Sequence, residues 1–212
     1  MSETADQETI TVFSDYVCPF CYLGRHSLAQ YQETRAEPLE IEWHPFDLRA
    51  QKRNPDGTID HSVDDGKDDD YYEQAKENVR RLQEEYDVEM DLEIATDVDS
   101  LPAQVASVRV KEEYPYGTWL EFDWGVFEAL WTEGRDIGDA DVLADIAEDA
   151  GVDPEDVREA VADDDLRERV RALFDEAHQQ GVTGVPTFAY DGYGARGAVP
   201  PAQLERLVEG TE

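Results

Sequence analysis

Cys18 and Cys21 are the only cysteines in the chain, and just Pro19 and Phe20 separate them. A thiol pair at this spacing can close a disulfide on itself, exchange that disulfide with another, or lend two ligands to a metal. A bond across so short a loop constrains the unfolded chain little, so the pair points to chemistry rather than architecture. Ile10-Thr11-Val12-Phe13, just upstream, reads as a strand, and Pro19 suits the first turn of a helix, where its missing N–H costs nothing. Cys18 then sits beside unpaired helix N–H groups that favour negative charge, the setting of a reactive thiolate. A helix terminus supplies only about 0.3–1 kcal/mol, up to about 2. Stronger activation needs direct hydrogen bonds from amides near Phe20 and Cys21. A structural zinc site wants four ligands. There is no second CxxC, and His26, His44, His61 and His178 show no ligand spacing, so no metal is expected.

The elements that position the pair follow from periodicity. The chain opens strand (about 10–14), helix (about 19–34), strand (about 39–45). In the second strand Leu39, Ile41 and Trp43 face one way and Glu40, Glu42 and His44 the other. Asn54-Pro55-Asp56-Gly57 is a turn signal, followed by a polar surface loop to about Lys67. Helices are expected near 71–86, 100–113 and 118–131. Another opens at Gly138-Asp139 with a stripe of Val142, Leu143, Ile146, Ala147 and Ala150. Asp153-Pro154 then gives an N-cap and a first-turn proline. From Asp165, Leu166, Val170 and Phe174 trace a further helical face that stops near Gly181. Two short strands, about 187–190 and 195–198, turn at Gly192 and Gly194, and a last helix follows Pro200-Pro201.

The chain has 212 residues, enough for one domain or for one domain with a large insertion. Its net charge is −34, from 52 acidic against 18 basic residues, and only Lys52, Lys67, Lys76 and Lys111 are lysines. The acids alternate with periodic apolar positions instead of forming a tail. That pattern reads as adaptation to molar intracellular salt, where the Debye length falls to about 3 Å, and so as an extreme halophile. The same charge excludes nucleic acid and anionic membranes as partners. Met1-Ser2-Glu3-Thr4-Ala5-Asp6 lacks the basic and apolar regions of a secretory signal, and no apolar run reaches spanning length. A cytoplasmic location is therefore expected, where a CxxC is more often catalytic or metal-binding than a permanent disulfide.

Two stretches carry a family resemblance. Ser14-Asp15-Tyr16-Val17-Cys18-Pro19-Phe20-Cys21-Tyr22-Leu23-Gly24 and Gly181-Val182-Thr183-Gly184-Val185-Pro186-Thr187-Phe188 resemble the DsbA-type thiol-disulfide oxidoreductases, in particular their FrnE-like branch. Pro45-Phe46, 127–137 and Gly197-Ala198 match more weakly. The resemblance implies an α/β thioredoxin-like fold, a mixed sheet flanked by helices, with an all-helical insertion. Residues 1–62 and 163–212 would form the thioredoxin-like part and 63–162 the insertion. It implies Cys18 as nucleophile and Cys21 as resolving thiol. Pro19 and Phe20 would lie at the helix N-terminus around the thiolate. Val185 and a cis Pro186 would face the pair and bind substrate backbone. No cofactor is implied beyond the Cys18–Cys21 disulfide, with glutathione or another small thiol as co-substrate. The partners implied are thiol- or disulfide-bearing proteins or small molecules and a recycling redox protein, with a homodimer as the candidate assembly.

Two rivals remain open at this point. Chromene-carboxylate isomerases and kappa-type glutathione transferases share the implied fold and use glutathione, and many carry serine at the first cysteine position. A non-enzymatic metal- or partner-binding module is the other. Among the remaining residues, His44 reads as exposed on the polar side of its strand and His26 as structural. Arg25 lies about 10 Å along the helix from Cys18, too far to pair with a thiolate. Asp15 reads equally as a turn or capping residue or a catalytic one, and the strand 10–13 carries no acid to take the proton of Cys21. The acidic run 64–70 fits no EF-hand and reads as a solvated loop. Gly192-Tyr193-Gly194 is too short for a dinucleotide motif. Trp119, Trp124, Phe127 and Trp131 read mostly as insertion core, some of them lining the groove above the cysteines.

Overall fold

The computed structural model describes residues 8–60, 62–63, 69–92 and 98–210. Strand β1 (Glu8–Ser14) leads into helix α1 (Pro19–Thr34) and strand β2 (Leu39–Pro45). Five helices follow: α2 (Asp69–Tyr86), α3 (Leu101–Glu113), α4 (Tyr116–Trp131), α5 (Ala140–Asp149) and α6 (Pro154–Ala162). The chain then returns through α7 (Asp164–Gln179), β3 (Thr187–Tyr190), β4 (Tyr193–Arg196) and α8 (Pro201–Glu209).

The sheet is mixed, in the order β2-β1-β3-β4. β1 runs parallel to β2, Glu8 opposite Leu39 and Ser14 opposite Pro45, and antiparallel to β3, Val12 opposite Phe188. The alternation of β2 holds: Leu39, Ile41, Trp43 and Pro45 are buried and the residues between them are not. Helix starts follow their caps. Asp139, Asp153 and Asp163 each accept from a backbone N–H in the first turn of α5, α6 and α7. One apolar core runs from Ile10, Val12 and Phe188 through Leu23 and Leu28 of α1 to Val105, Phe127 and Leu143 of the middle helices. No described helix is long and apolar enough to cross a membrane.

Two expectations need correction. The last strand is 193–196, not 195–198, because the hairpin turns at Asp191-Gly192, with φ of 46° and 81°, and Gly194 lies inside β4. A two-residue Asp-Gly loop with both φ positive matches the twist of the flanking strands, which the pairing of Tyr190 with Tyr193 shows. Of the acidic run, 64–68 lies outside the described residues, while Asp69 and Asp70 begin α2 instead of extending a loop. His61 also lies outside them.

Candidate active site

Cys18 is the N-cap of α1, with extended backbone (φ −93°, ψ 114°), and Pro19 opens the first turn. Cys18 N–H donates to Asp15 O at 3.1 Å, and Cys18 O accepts from Cys21 N at 3.0 Å and Tyr22 N at 3.3 Å. The loop before the helix is thus pinned by its own main chain, and the first sulfur stands at the helix mouth. The Cys18 thiol lies 3.7 Å from Val185 O, its donor direction toward that carbonyl. The Val185–Pro186 bond is cis. Pro186 O accepts from Gly197 N at 2.8 Å, and Thr187 Oγ1 donates to Gly184 O at 2.7 Å, so the loop facing Cys18 is held on both sides. Gly24 lets α1 come this close: a Cβ there would lie 3.0 Å from Pro186 Cγ and 3.1 Å from Phe188 Cζ.

Both cysteines are free thiols, Cys18 nearly covered and Cys21 fully so. Burial pushes the Cys21 thiol well above the ordinary range, and its hydrogen bond with Cys18 pushes the same way. A hydrogen bond from the Asp15 main chain works against the rise, whereas the Asp15 charge adds to it. Asp15 itself is fully buried just past β1, and burial raises its carboxyl from 3.8 to about 6, with the nearby Asp47 charge pushing the same way. Val17 N donates to its Oδ1 at 3.2 Å, Leu48 N to its Oδ2 at 2.9 Å, and Gln104 Nε2 approaches Oδ1 at 3.4 Å. Asp15, open in the sequence between a turn or capping residue and a catalytic one, thus makes the turn's hydrogen bonds and is also a buried carboxyl of the kind that β1 itself lacks.

The same loop reaches a second buried carboxylate through Tyr16. Asp123 receives Arg25 through Nη2 at 2.6 Å and Nε at 3.1 Å, and the Tyr16 hydroxyl at 2.9 Å. Tyr16 Oη is also 2.8 Å from Ser107 Oγ, which accepts from Trp119 Nε1 at 3.0 Å, and Trp131 Nε1 donates to Tyr16 O at 2.8 Å. Arg25 is thus no thiolate partner but the anchor of α1 on α4. His26 packs half-buried against Tyr22 and Trp124. His44 is not simply exposed: its ring lies 4.8 Å from that of Phe13 and its Nε2 is buried.

In front of Cys18 opens a cavity of about 310 Å³. Val17, Pro19, Phe20 and Val185 line it beside the sulfur, and Trp131 is the one tryptophan that lines it among the described residues. The structure thus brings together Cys18, Pro19, Phe20 and Val185 at one opening, with Cys21 behind. The sequence reading missed five further lining residues, Arg49, Lys52, Tyr71, Tyr72 and Lys76. The available signal was charge: two of only four lysines fall there.

A family description, the DSBA-like thioredoxin domain, matches residues 9–209. The chain belongs to this family. It is 30% identical over 181 residues to the protein YwbO of Bacillus subtilis (strain 168), covering 84% of each chain. A probable DsbA oxidoreductase from Streptomyces coelicolor superposes with a TM-score of 0.73 at 22% identity, over 96% of this chain and 91% of that one. A 2-hydroxychromene-2-carboxylate isomerase superposes with a TM-score of 0.71 at 18% identity, over 93% and 92%. The DSBA-like thioredoxin fold is therefore shared by chains named for different reactions, and the reaction has to be read from the site.

Proposed function

We propose that this DSBA-like chain is a thiol-disulfide oxidoreductase that works through Cys18 and Cys21 in the cytoplasm of a salt-adapted cell. The observation that carries the reading is the division of the two sulfurs. Cys18 lies at a helix mouth and lines a cavity, while Cys21 is wholly buried one turn behind it. The Cys18 thiolate attacks one sulfur of a substrate disulfide and expels the other half as a thiolate. Cys21, once deprotonated, attacks the Cys18 sulfur of the mixed disulfide, closing the Cys18–Cys21 bond and releasing the second half. The substrate is reduced by two electrons and the enzyme dithiol oxidised by two. A recycling thiol partner reverses the change.

Burial makes the proton of Cys21 hard to lose. Asp15 supplies the acceptor: its charge is felt at Cys21, and its carboxyl titrates near 6. The Val185 carbonyl, facing Cys18, is the main-chain group that meets substrate backbone. Glutathione or another small thiol serves as co-substrate.

The test is a redox titration of the pair against glutathione in molar KCl, read by alkylation and mass. A two-electron transition near about −120 to −200 mV marks a disulfide donor or isomerase, and one near about −270 mV a reductase. If no intramolecular disulfide forms, the reading fails and a glutathione-dependent isomerase or transferase takes its place. Cys18→Ser abolishes dithiol-dependent turnover, whereas Cys21→Ser accumulates mixed disulfides at Cys18, visible as added mass on the intact protein.

A further inference from the structure

The residues that line the cavity in front of Cys18 differ in kind from the chain around it. About a quarter of all residues are acidic, 52 against 18 basic. Yet among the sixteen described residues that line the cavity there is no Asp or Glu, and there are three cations, Arg49, Lys52 and Lys76. Two of these are among the chain's four lysines. They come from different elements: Arg49 and Lys52 from the segment after β2, Lys76 from the second turn of α2. Arg49 is held in place by the Val98 carbonyl, and Lys76 has an exposed i,i+3 pair with Glu73 at 3.3 Å. An exposed pair of this kind contributes little and leaves the ammonium available to a second anion.

The rest of the wall is apolar and aromatic, with Val79, Leu92 and Trp131 on one side and Val17 and Phe20 beside the sulfur. A volume of about 310 Å³ sits at the low end of small-molecule sites, about 300–1,000 Å³. Such a space takes a compact molecule with a short aliphatic body. At a Debye length of about 3 Å, a ligand with carboxylates is favoured only where cations lie within contact range.

We propose that the cavity selects, as substrate of the Cys18–Cys21 pair, a low-molecular-weight disulfide whose arms carry carboxylates. This rests on the redox reading above. One arm enters the cavity with its carboxylate toward Lys52 and Lys76 and its sulfur at Cys18. The Cys18 thiolate attacks that sulfur, the S–S bond breaks, and the other arm leaves as an anionic thiolate. Cys21 then displaces the retained arm as a second anionic thiolate and closes the enzyme disulfide. Two electrons pass from the dithiol to the substrate disulfide, and no further reactant is needed.

The experiment is a charge series with three disulfides of similar size: dithiodipropionate (anionic), hydroxyethyl disulfide (neutral) and cystamine (cationic). Each rate of oxidation of the reduced enzyme is divided by the rate of the same disulfide with β-mercaptoethanol, which removes leaving-group differences. Work in molar KCl shortens the Debye length to about 3 Å and silences the global field, so that contact-range charge is what remains. The expected order is anionic over neutral over cationic, with about fivefold between the extremes, the upper range for a contact ion pair in water. In Lys52→Gln/Lys76→Gln the anionic-to-cationic ratio falls by most of that factor. A cationic rate equal to or above the anionic one overturns the proposal, as does an anionic preference that the double variant leaves intact. The wild-type series stands even if that variant fails to fold. Failure of the underlying reading looks different: hydroxyethyl disulfide then fails to oxidise the pair at all, while here it reacts and only the ordering decides.

Discussion

Asp15 and Asp123 are both fully buried carboxyls, and Tyr16, adjacent to Asp15, reaches Asp123 with its side chain. One acid belongs to the loop that delivers Cys18 and the other reaches it through Tyr16, and their surroundings differ in one respect. Asp123 is met by a guanidinium and a hydroxyl. Asp15 is met by neutral donors, Val17 N, Leu48 N and the Gln104 amide, with the Asp47 carboxylate nearby. A buried charge with a cation is a tether. A buried acid with neutral donors and an acid neighbour keeps its proton to higher pH and can exchange it in the working range. The loop is thus tethered through one acid and titrated at the other.

The comparison breaks most visibly at Asp123. Asp123→Asn leaves Arg25 buried without its counter-charge, at a cost of about 3–5 kcal/mol. Urea unfolding in molar KCl measures it. A double variant, Arg25→Met with Asp123→Leu, recovers much of the loss, since an apolar replacement of both partners avoids the stranded charge. Full retention of stability in Asp123→Asn would show that the pair is no tether.

Asp15 ranks next and differs in kind. The folded carboxyl holds its proton to about pH 6, against an ordinary value of 3.8. Between those values the folded state binds more proton than the unfolded chain, so stability falls as pH rises through the window. Above about 6 the whole cost is present, about 3 kcal/mol. Asp15→Asn cannot ionise and lacks this slope. Whatever the variant loses in hydrogen bonds, its stability relative to wild type therefore improves by about 3 kcal/mol between pH 4 and pH 7. The rate at which Cys21 clears a mixed disulfide at Cys18 also loses its inflection near pH 6. A purely structural Asp15 would alter the melting temperature and leave that rate profile in place.

Much of this arrangement was legible in the chain, and the remainder was illegible for a definable reason. Pro19 and the apolar spacing fixed α1 to the residue at both ends, and the alternation of Leu39, Ile41 and Trp43 fixed the buried face of β2. These are local signals. The hairpin was misread because Gly194 looks like a turn residue, while Asp191-Gly192 carries the positive φ values that make the turn. Cys18 and Cys21 stood out by type and spacing. The character of Asp15 did not, because what buries it comes from Leu48 and Gln104, 33 and 89 residues away. Arg25 was dismissed as a thiolate partner, correctly by distance, but its role lies with Asp123, 98 residues on. The cavity wall drew on α2, whose Tyr71 and Lys76 look like an ordinary amphipathic helix until the fold sets them opposite Cys18.

Tyr16 joins the two acids through one residue of backbone, so its hydroxyl sharpens the contrast. Tyr16→Phe removes a donor from Asp123 and a partner from Ser107, at about 1.5–3 kcal/mol for a hydrogen bond to a charged group. Because burial and the Asp123 charge hold its phenol well above 10, this loss is flat with pH across the neutral range. Urea unfolding at pH 5 and pH 8 should give the same difference from wild type. A slope would mean that the tether depends on pH as well, and the division between tether and proton acceptor would collapse.

The smallest effect is the most diagnostic. Gln104 Nε2 spreads its protons over Asp15 Oδ1 at 3.4 Å, Phe46 O at 3.2 Å and Ser100 Oγ at 3.2 Å, and its Oε1 is buried without a partner. Long bonds on one end and an orphan acceptor on the other make the side chain worth little, so Gln104→Leu costs about 1 kcal/mol. Its electrostatic consequence is larger than its stability cost. Removing a donor to Asp15 disfavours the ionised form, and the carboxyl then titrates above the wild-type value of about 6. The pH window in which stability falls moves upward with it, and so does the inflection in the resolving step at Cys21. Both should shift by the same amount, because one carboxyl causes both. A shift in the stability window with an unmoved inflection would leave Asp15 as a buried acid of the fold and send the search for the Cys21 proton acceptor elsewhere.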